Sequence, residues 1–250
     1  MRQSAICANP SIFEELRPLD SLIVFDMDGV LADVTESYRE AVVQTVKRFT
    51  GQTISRDLIQ QYKNQGGWNN DWALSQKIAA DLGVAVDYGE LVDYFNAIFL
   101  GRGNGGLIER ETWLPRPGLL ERISKKYGMA IFTGRLRHEA GISLRRFASR
   151  LQFDPIVCAD DVARGKPAPD GLLAIRKKRP GCKMLFVGDT VDDARSAGAA
   201  GVPFIGIASR AHSRREDLIR LFEQERAIAI LDNVNEIEKL LDFQENRCGY

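Results

Sequence analysis

Asp26 and Asp28 stand two residues apart in FDMDGV, and Asp189, Asp192 and Asp193 share the segment VGDTVDDA. Thr133 follows an apolar run in FTGR, and Lys166 sits in RGKPAPD. Carboxylates in this number crowd together only around a cation, because like charges raise one another's pKa. An all-oxygen set without histidine or cysteine suits a hard ion, and Mg²⁺ fits first. Mg²⁺ commonly shares a phosphate as ligand, which gives the lysine and the hydroxyl a task as donors to phosphate oxygens. A carboxylate can also serve as a nucleophile and accept a phosphoryl group.

Other chemistries lack their residues. Only two histidines occur, His138 and His212, each placed on a predicted helix among charged neighbours, so a multi-histidine metal site is excluded. There is no G-x-S-x-G turn, which disfavours a Ser-His-Asp hydrolase. Cys7, Cys158, Cys182 and Cys248 are scattered without a C-x-x-C pair and read as reduced thiols of a cytoplasmic protein.

The elements that must carry these residues alternate. Leu22–Phe25 is a continuous apolar run stopped by Asp26, and similar runs recur at Met129–Phe132, Pro155–Cys158, Met184–Val187, Pro203–Ile207 and 226–231. Such runs suit strands buried on both faces. Helical patterns at 136–151, 168–178, 191–200, 212–223 and 234–242 separate them. The order predicts right-handed crossovers and an α/β doubly wound parallel sheet. In such a sheet ligands bind beyond the carboxyl ends of the strands, near the point where strand order reverses. The five acids, Thr133 and Lys166 all fall at strand ends or in the loops after them.

Residues 34–114 break the alternation and read as consecutive helices. Tyr38, Val42, Val46 and Phe49 mark one face ended by Gly51; Leu58–Tyr62 and Trp72–Leu82 mark two more, with Gly83 as a stop. A fourth carries Leu91, Phe95 and Phe99 after Asp87-x-x-Glu90, a variant of the capping box. The expected organisation is a core of residues 1–33 and 115–250 with residues 34–114 inserted after the first strand.

The chain has 250 residues, with 34 Lys+Arg against 34 Asp+Glu, 44% apolar and 27% charged residues. That composition excludes a disordered or collagen-like chain. The zero balance argues against nucleic acid as a partner. No apolar run approaches the roughly 20 residues of a membrane span, and the first 20 residues lack the apolar region of a signal peptide. No role is assigned to those 20 residues, and the sequence sets no oligomeric state.

Taken in order, Asp26-x-Asp28-Gly29-Val30, Phe132-Thr133-Gly134-Arg135, Gly165-Lys166-Pro167-x-Pro169 and Gly188-Asp189-Thr190-x-x-Asp193 resemble the four motifs of the haloacid dehalogenase superfamily of phosphohydrolases. The likeness runs from about Leu22 to Leu241. The helical insertion looks like the C1-type cap of its subclass I, on a Rossmann-like core. The resemblance implies a Mg²⁺-dependent phosphatase. Asp26 would be the nucleophile and Asp28 the general acid and base. Thr133, Gly134 and Lys166 would hold phosphate. Asp26, Asp28, Asp189 and Asp193 would serve the metal, with the choice between Asp192 and Asp193 open. An acid at position 28 fits a phosphate monoester or a phosphomutase reaction, since either must protonate an ester oxygen. The expected substrate is a small phosphorylated metabolite. A phosphomutase of the same superfamily and a non-catalytic ligand-binding protein are the alternatives.

Substrate selection falls to the insertion. Trp68, Asn69, Asn70 and Trp72 in GGWNNDW offer rings and amides to an organic group, unless the tryptophans belong to the insertion's own core. Arg135 reaches either a substrate anion or a surface salt bridge. Gly101–Gly106 is either a substrate loop or a hinge.

Overall fold

The computed structural model describes residues 20–101 and 105–245. In chain order its elements are β1 (Ser21–Phe25), β2 (Ala32–Asp33), α1 (Tyr38–Thr50), α2 (Arg56–Gln65), α3 (Asp71–Asp81) and α4 (Tyr88–Leu100). Then come β3 (Thr112–Trp113), α5 (Leu119–Ser124), β4 (Gly128–Phe132), α6 (Arg137–Phe147), β5 (Ile156–Val157) and α7 (Asp170–Lys178). The chain continues through β6 (Lys183–Gly188), α8 (Val191–Ala200), β7 (Phe204–Ile207), α9 (Arg215–Gln224), β8 (Ala229–Leu231) and α10 (Ile237–Glu245).

Six strands form one parallel sheet in the order β5-β4-β1-β6-β7-β8. This is the doubly wound sheet expected. β1 lies between β4 and β6 with all five of its side chains buried, and alternate residues serve opposite faces. Ile23 and Phe25 join Met129, Ile131, Leu185 and Val187 in one layer. Leu22 and Val24 join Ala130, Phe132, Met184 and Phe186 in the other. Period-two alternation with both faces buried is what a continuous apolar strand needs. On the second face Phe132, Phe186, Phe204 and Phe222 pack in succession, with centroids 5.8, 6.0 and 5.4 Å apart. The strand order reverses at β1, with β4 on one side and β6 on the other, so the ends of these three strands meet at the switch point.

α1 to α4 form a helical unit with its own core, including Val42, Val46, Ile59, Leu74, Ile78, Phe95 and Phe99. The start of α4 at Asp87 is the one the sequence marks as a cap, while Asn70, read there as a substrate contact, caps α3. Asn70 accepts from the N–H groups of Trp72 and Ala73, and Asp87 accepts from Glu90 N–H. Gly51 closes α1 in the left-handed region at φ 74°. At the two crossings into this unit, β2 and β3 pair antiparallel, with Ala32 opposite Trp113 and Asp33 opposite Thr112. Neither two-residue strand lies in an apolar run, so neither is visible in the sequence, and the six-residue α5 is too short to show a helical period.

One placement needs correction. His212 was expected within a helix, but it lies in the turn before α9. Its Nδ1 accepts from Arg214 N–H at 3.2 Å, which holds it outside the first turn. Cys158 and Cys182 are free thiols; Cys7 and Cys248 lie outside the described residues, as do 1–19 and 102–104 of the glycine-rich segment. Among the described residues, no helix is long and apolar enough to cross a membrane.

Candidate active site

The end of β1 fixes Asp26. Its N–H continues the parallel ladder to Val187 O at 2.8 Å, and its own Oδ1 accepts from Met27 N–H at 2.7 Å. The chain then turns through Gly29 at φ 69°. A Cβ there would lie 1.9 Å from Asp189 Oδ2, so glycine is what lets the β6 loop approach the β1 loop.

Lys166 joins the acids from the loop before α7. Its Nζ lies 2.9 Å from Asp26 Oδ1 and 2.6 Å from Asp193 Oδ1, with all three side chains buried. The Phe132 and Phe186 rings face the ammonium at 4.9 and 5.3 Å and close off water. Burial works against the lysine's charge, but Asp193 and Asp26 outweigh it and hold its pKa above the usual value.

Ligand atoms of Asp26, Asp189 and Asp193 lie within 4.8 Å of one another. Burial pushes Asp189 up to about 7, with Asp193 adding repulsion. Burial also raises Asp26 well above the carboxylate range, against the pull of Lys166. Among the described residues, Asp189 Oδ1 is buried without a hydrogen-bond partner. Three crowded carboxylates and an orphaned oxygen suit a hard divalent cation, which would offset the burial and the repulsion that together raise these pKa values.

The choice between the neighbouring acids is visible in the helix start. Thr190 and Asp193 form a capping box: Asp193 Oδ2 accepts from Thr190 N–H and Oγ1–H at 3.0 and 2.6 Å, and Thr190 Oγ1 accepts from Asp193 N–H at 3.2 Å. This turns Asp193 toward Asp26 and Asp189. Asp192, one residue earlier, faces the helical unit and accepts from Gly67 N–H.

Between the strand ends and the helical unit lies a cavity of about 400 Å³. Asp26, Asp28, Gly134, Lys166 and Asp189 line its core side, and Arg39, Lys63, Asn69 and Trp72 line the other. Asn69 rests on Gly134, where a Cβ would come within 2.3 Å of its Nδ2. Thr133 is buried beside Gly134, with its Oγ1 accepting from Arg135 N–H at 3.2 Å.

The other expectations for the helical side divide. Trp68 and Trp72 both pack, half-buried, against the unit's core, edge-on to Tyr62 and Phe95, and Trp72 also reaches the cavity. Arg135 forms no surface salt bridge: it is buried and bonded to Asp28 and Glu111. Arg39 and Lys63 were not anticipated, since helix-face cations look like ordinary solvated residues. Tyr38 was read only as an apolar face position, yet its hydroxyl donates to Glu139 Oε2 at 2.9 Å.

Residues 21–201 match the family model of haloacid dehalogenase-like hydrolases. The chain is 33% identical over 199 residues to an imidazoleglycerol-phosphate dehydratase of Phytophthora nicotianae, covering 76% of this chain but only 43% of that one. It is 25% identical over 198 residues to a phosphoglycolate phosphatase of Agrobacterium fabrum, covering 76% of this chain and 82% of that one. Among solved structures, the phosphatase Tt82 from Thermococcus thioreducens superposes with a TM-score of 0.60 at 26% identity, covering 81% of this chain and 99% of that one.

Proposed function

The chain belongs to the haloacid dehalogenase-like hydrolases, and from that premise we propose that it is a Mg²⁺-dependent phosphatase acting on a small phosphate monoester. One observation carries the reading: Lys166 bridges Asp26 and Asp193 inside a buried cluster of three carboxylates at the switch point of the sheet. The phosphatases among its relatives support it.

In this reading a carboxylate oxygen of Asp26 attacks phosphorus, the ester P–O bond breaks, and an aspartyl phosphate forms. Lys166 holds Asp26 in line by its 2.9 Å ion pair, and Asp193 anchors Lys166 from behind. Thr133, the Gly134 backbone and Lys166 hold the phosphoryl oxygens. Asp28 gives a proton to the departing oxygen and then takes one from the water that cleaves the aspartyl phosphate. Asp26, Asp189 and the Asp28 carbonyl would hold Mg²⁺, with Asp193 nearby, and the bound ion would neutralise phosphate charge and keep Asp26 ionised. The helical unit acts as a cap that shuts out bulk water. A cavity of about 400 Å³ admits a metabolite and excludes a folded phosphoprotein. Asn69 and Trp72 are the groups on its helical side suited to read the organic part.

The test is phosphate release across natural sugar, acid and amino-alcohol phosphates, with Asp26→Asn as control. Release from one class, abolished in the variant, is the expected result. An isomer in place of free phosphate would replace hydrolysis by a mutase reaction, and no turnover across the panel would contradict the enzyme reading.

A further inference from the structure

Arg135 is enclosed, with 0% of its side chain exposed, yet it touches Asp28, whose side chain is 32% exposed at the cavity wall. Its Nε donates to Asp28 Oδ1 at 2.6 Å. Glu111, also 0% exposed, holds the far edge of the same guanidinium: Nη2 lies 2.9 Å from Oε1, and Nη1 donates to Oε2 at 3.2 Å. Ser143 Oγ accepts from Nη1 at 2.7 Å and donates to Glu111 Oε2 at 2.6 Å, closing the ring of contacts. A planar guanidinium gripped along one edge cannot swing, so its remaining Nε–H points in a fixed direction.

The other half of the arrangement is where Glu111 stands. It immediately precedes β3, at the second crossing between helical unit and core. Ser37, between β2 and α1 at the first crossing, donates to Glu111 Oε1 at 3.3 Å. Tyr38, the first residue of α1, places its ring 5.0 Å below the Arg135 guanidinium. Both crossings therefore meet at the Arg135–Glu111 pair. A buried ion pair adds little stability over well-packed apolar residues, but it sets a direction that apolar packing does not.

We infer that Arg135, locked by Glu111, is a positioning residue that aims the Asp28 carboxylate and ties its aim to the two crossings of the helical unit. This rests on the reading of Asp28 as the proton donor to the leaving oxygen. A donor matters most when the leaving group is a poor one, such as an alkoxide, and least for a phenolate already stable as an anion.

The experiment compares an alkyl phosphate that the wild type hydrolyses with 4-nitrophenyl phosphate, in wild type, Arg135→Lys, Glu111→Gln and Ser143→Ala. Thermal melts confirm folding, and Ser143→Ala, which removes one neutral hydroxyl, keeps the test open where a charge change unfolds the chain. The expected result is a fall in kcat on the alkyl ester of about tenfold or more in Arg135→Lys and Glu111→Gln, with KM nearly unchanged. Little change is expected on the aryl ester, and Ser143→Ala shows a smaller split of the same sign. Equal losses on both esters, or no loss on either, would overturn the positioning role alone. Should no alkyl or aryl phosphate yield free phosphate with the wild type, so that no such ester is found, the phosphatase reading falls together with the role built on it.

Discussion

Both carboxylate oxygens of Asp192 accept from the backbone N–H of Gly67, at 2.8 and 2.9 Å, across the boundary between core and helical unit. Arg195, one turn along α8, donates to Gln65 O at 3.4 Å. Both side chains close on Gly66, where a Cβ would lie 2.1 Å from Arg195 Nη1 and 3.0 Å from Asp192 Oδ1. This seats the loop that carries Asn69 over Gly134.

Asp192→Ala removes a hydrogen bond to a charged acceptor, worth about 1.5–3 kcal/mol. Amide exchange in residues 65–70 should rise, and kcat/KM on the selected ester should fall about tenfold. Hydrogen exchange with mass spectrometry reads the first effect, and unchanged exchange in that segment would contradict the docking role. Asp192→Asn keeps one carbonyl acceptor and should fall between.

Gly29→Ala brings two costs together. The residue sits at φ 69°, which costs a non-glycine residue about 1–3 kcal/mol. Its Cβ would also collide with the buried Asp189 carboxylate. Reduced thermal stability and weakened Mg²⁺ binding by calorimetry are expected together. Gly134→Ala meets only the end of the Asn69 side chain, so it should retain stability and lose substrate affinity. Equal stability loss in the two variants would contradict this contrast.

Lys166→Met leaves Asp26 and Asp193 without their shared cation in a buried site. Removing one partner of a buried pair costs about 3–5 kcal/mol. Urea unfolding in the presence of a chelator should show a loss of that order, and an unchanged midpoint would show that the ion pairs are not formed.

Burial, with Arg39 adding, pushes His212 down to about 4 from an ordinary 6.5. Between those values the unfolded chain binds a proton that the folded chain does not, so the histidine's contribution is full above 6.5 and is lost as pH falls toward 4. Urea unfolding at neutral pH and midway through that window should show a smaller acid loss in His212→Gln than in the wild type. An identical loss would contradict the burial of a neutral ring.

Much of the core side of the site is readable from the sequence because each of its residues ends an apolar run or sits in the loop after one. Asp26, Thr133 and Asp189 are fixed by strand ends whose runs are unmistakable. The inward turn of Asp193 was also written there, in Thr190-x-x-Asp193, once that pair is read as a helix start. The Arg135–Glu111 pair was not legible. Its partners are 24 residues apart and meet only because two-residue strands bring the crossings together. Trp68 and Trp72 look alike in sequence, and the Asn70 cap separates them by starting α3 between them.

The nucleophilic role of Asp26 is tested most directly by a rapid acid quench of the wild type turning over a hydrolysed ester with Mg²⁺, followed by peptide mass spectrometry. A phosphoryl adduct on Asp26 is expected, absent with a chelator and absent in Asp26→Asn, which also loses turnover. Sustained phosphate release by Asp26→Asn, or an adduct mapped to another residue, would contradict it.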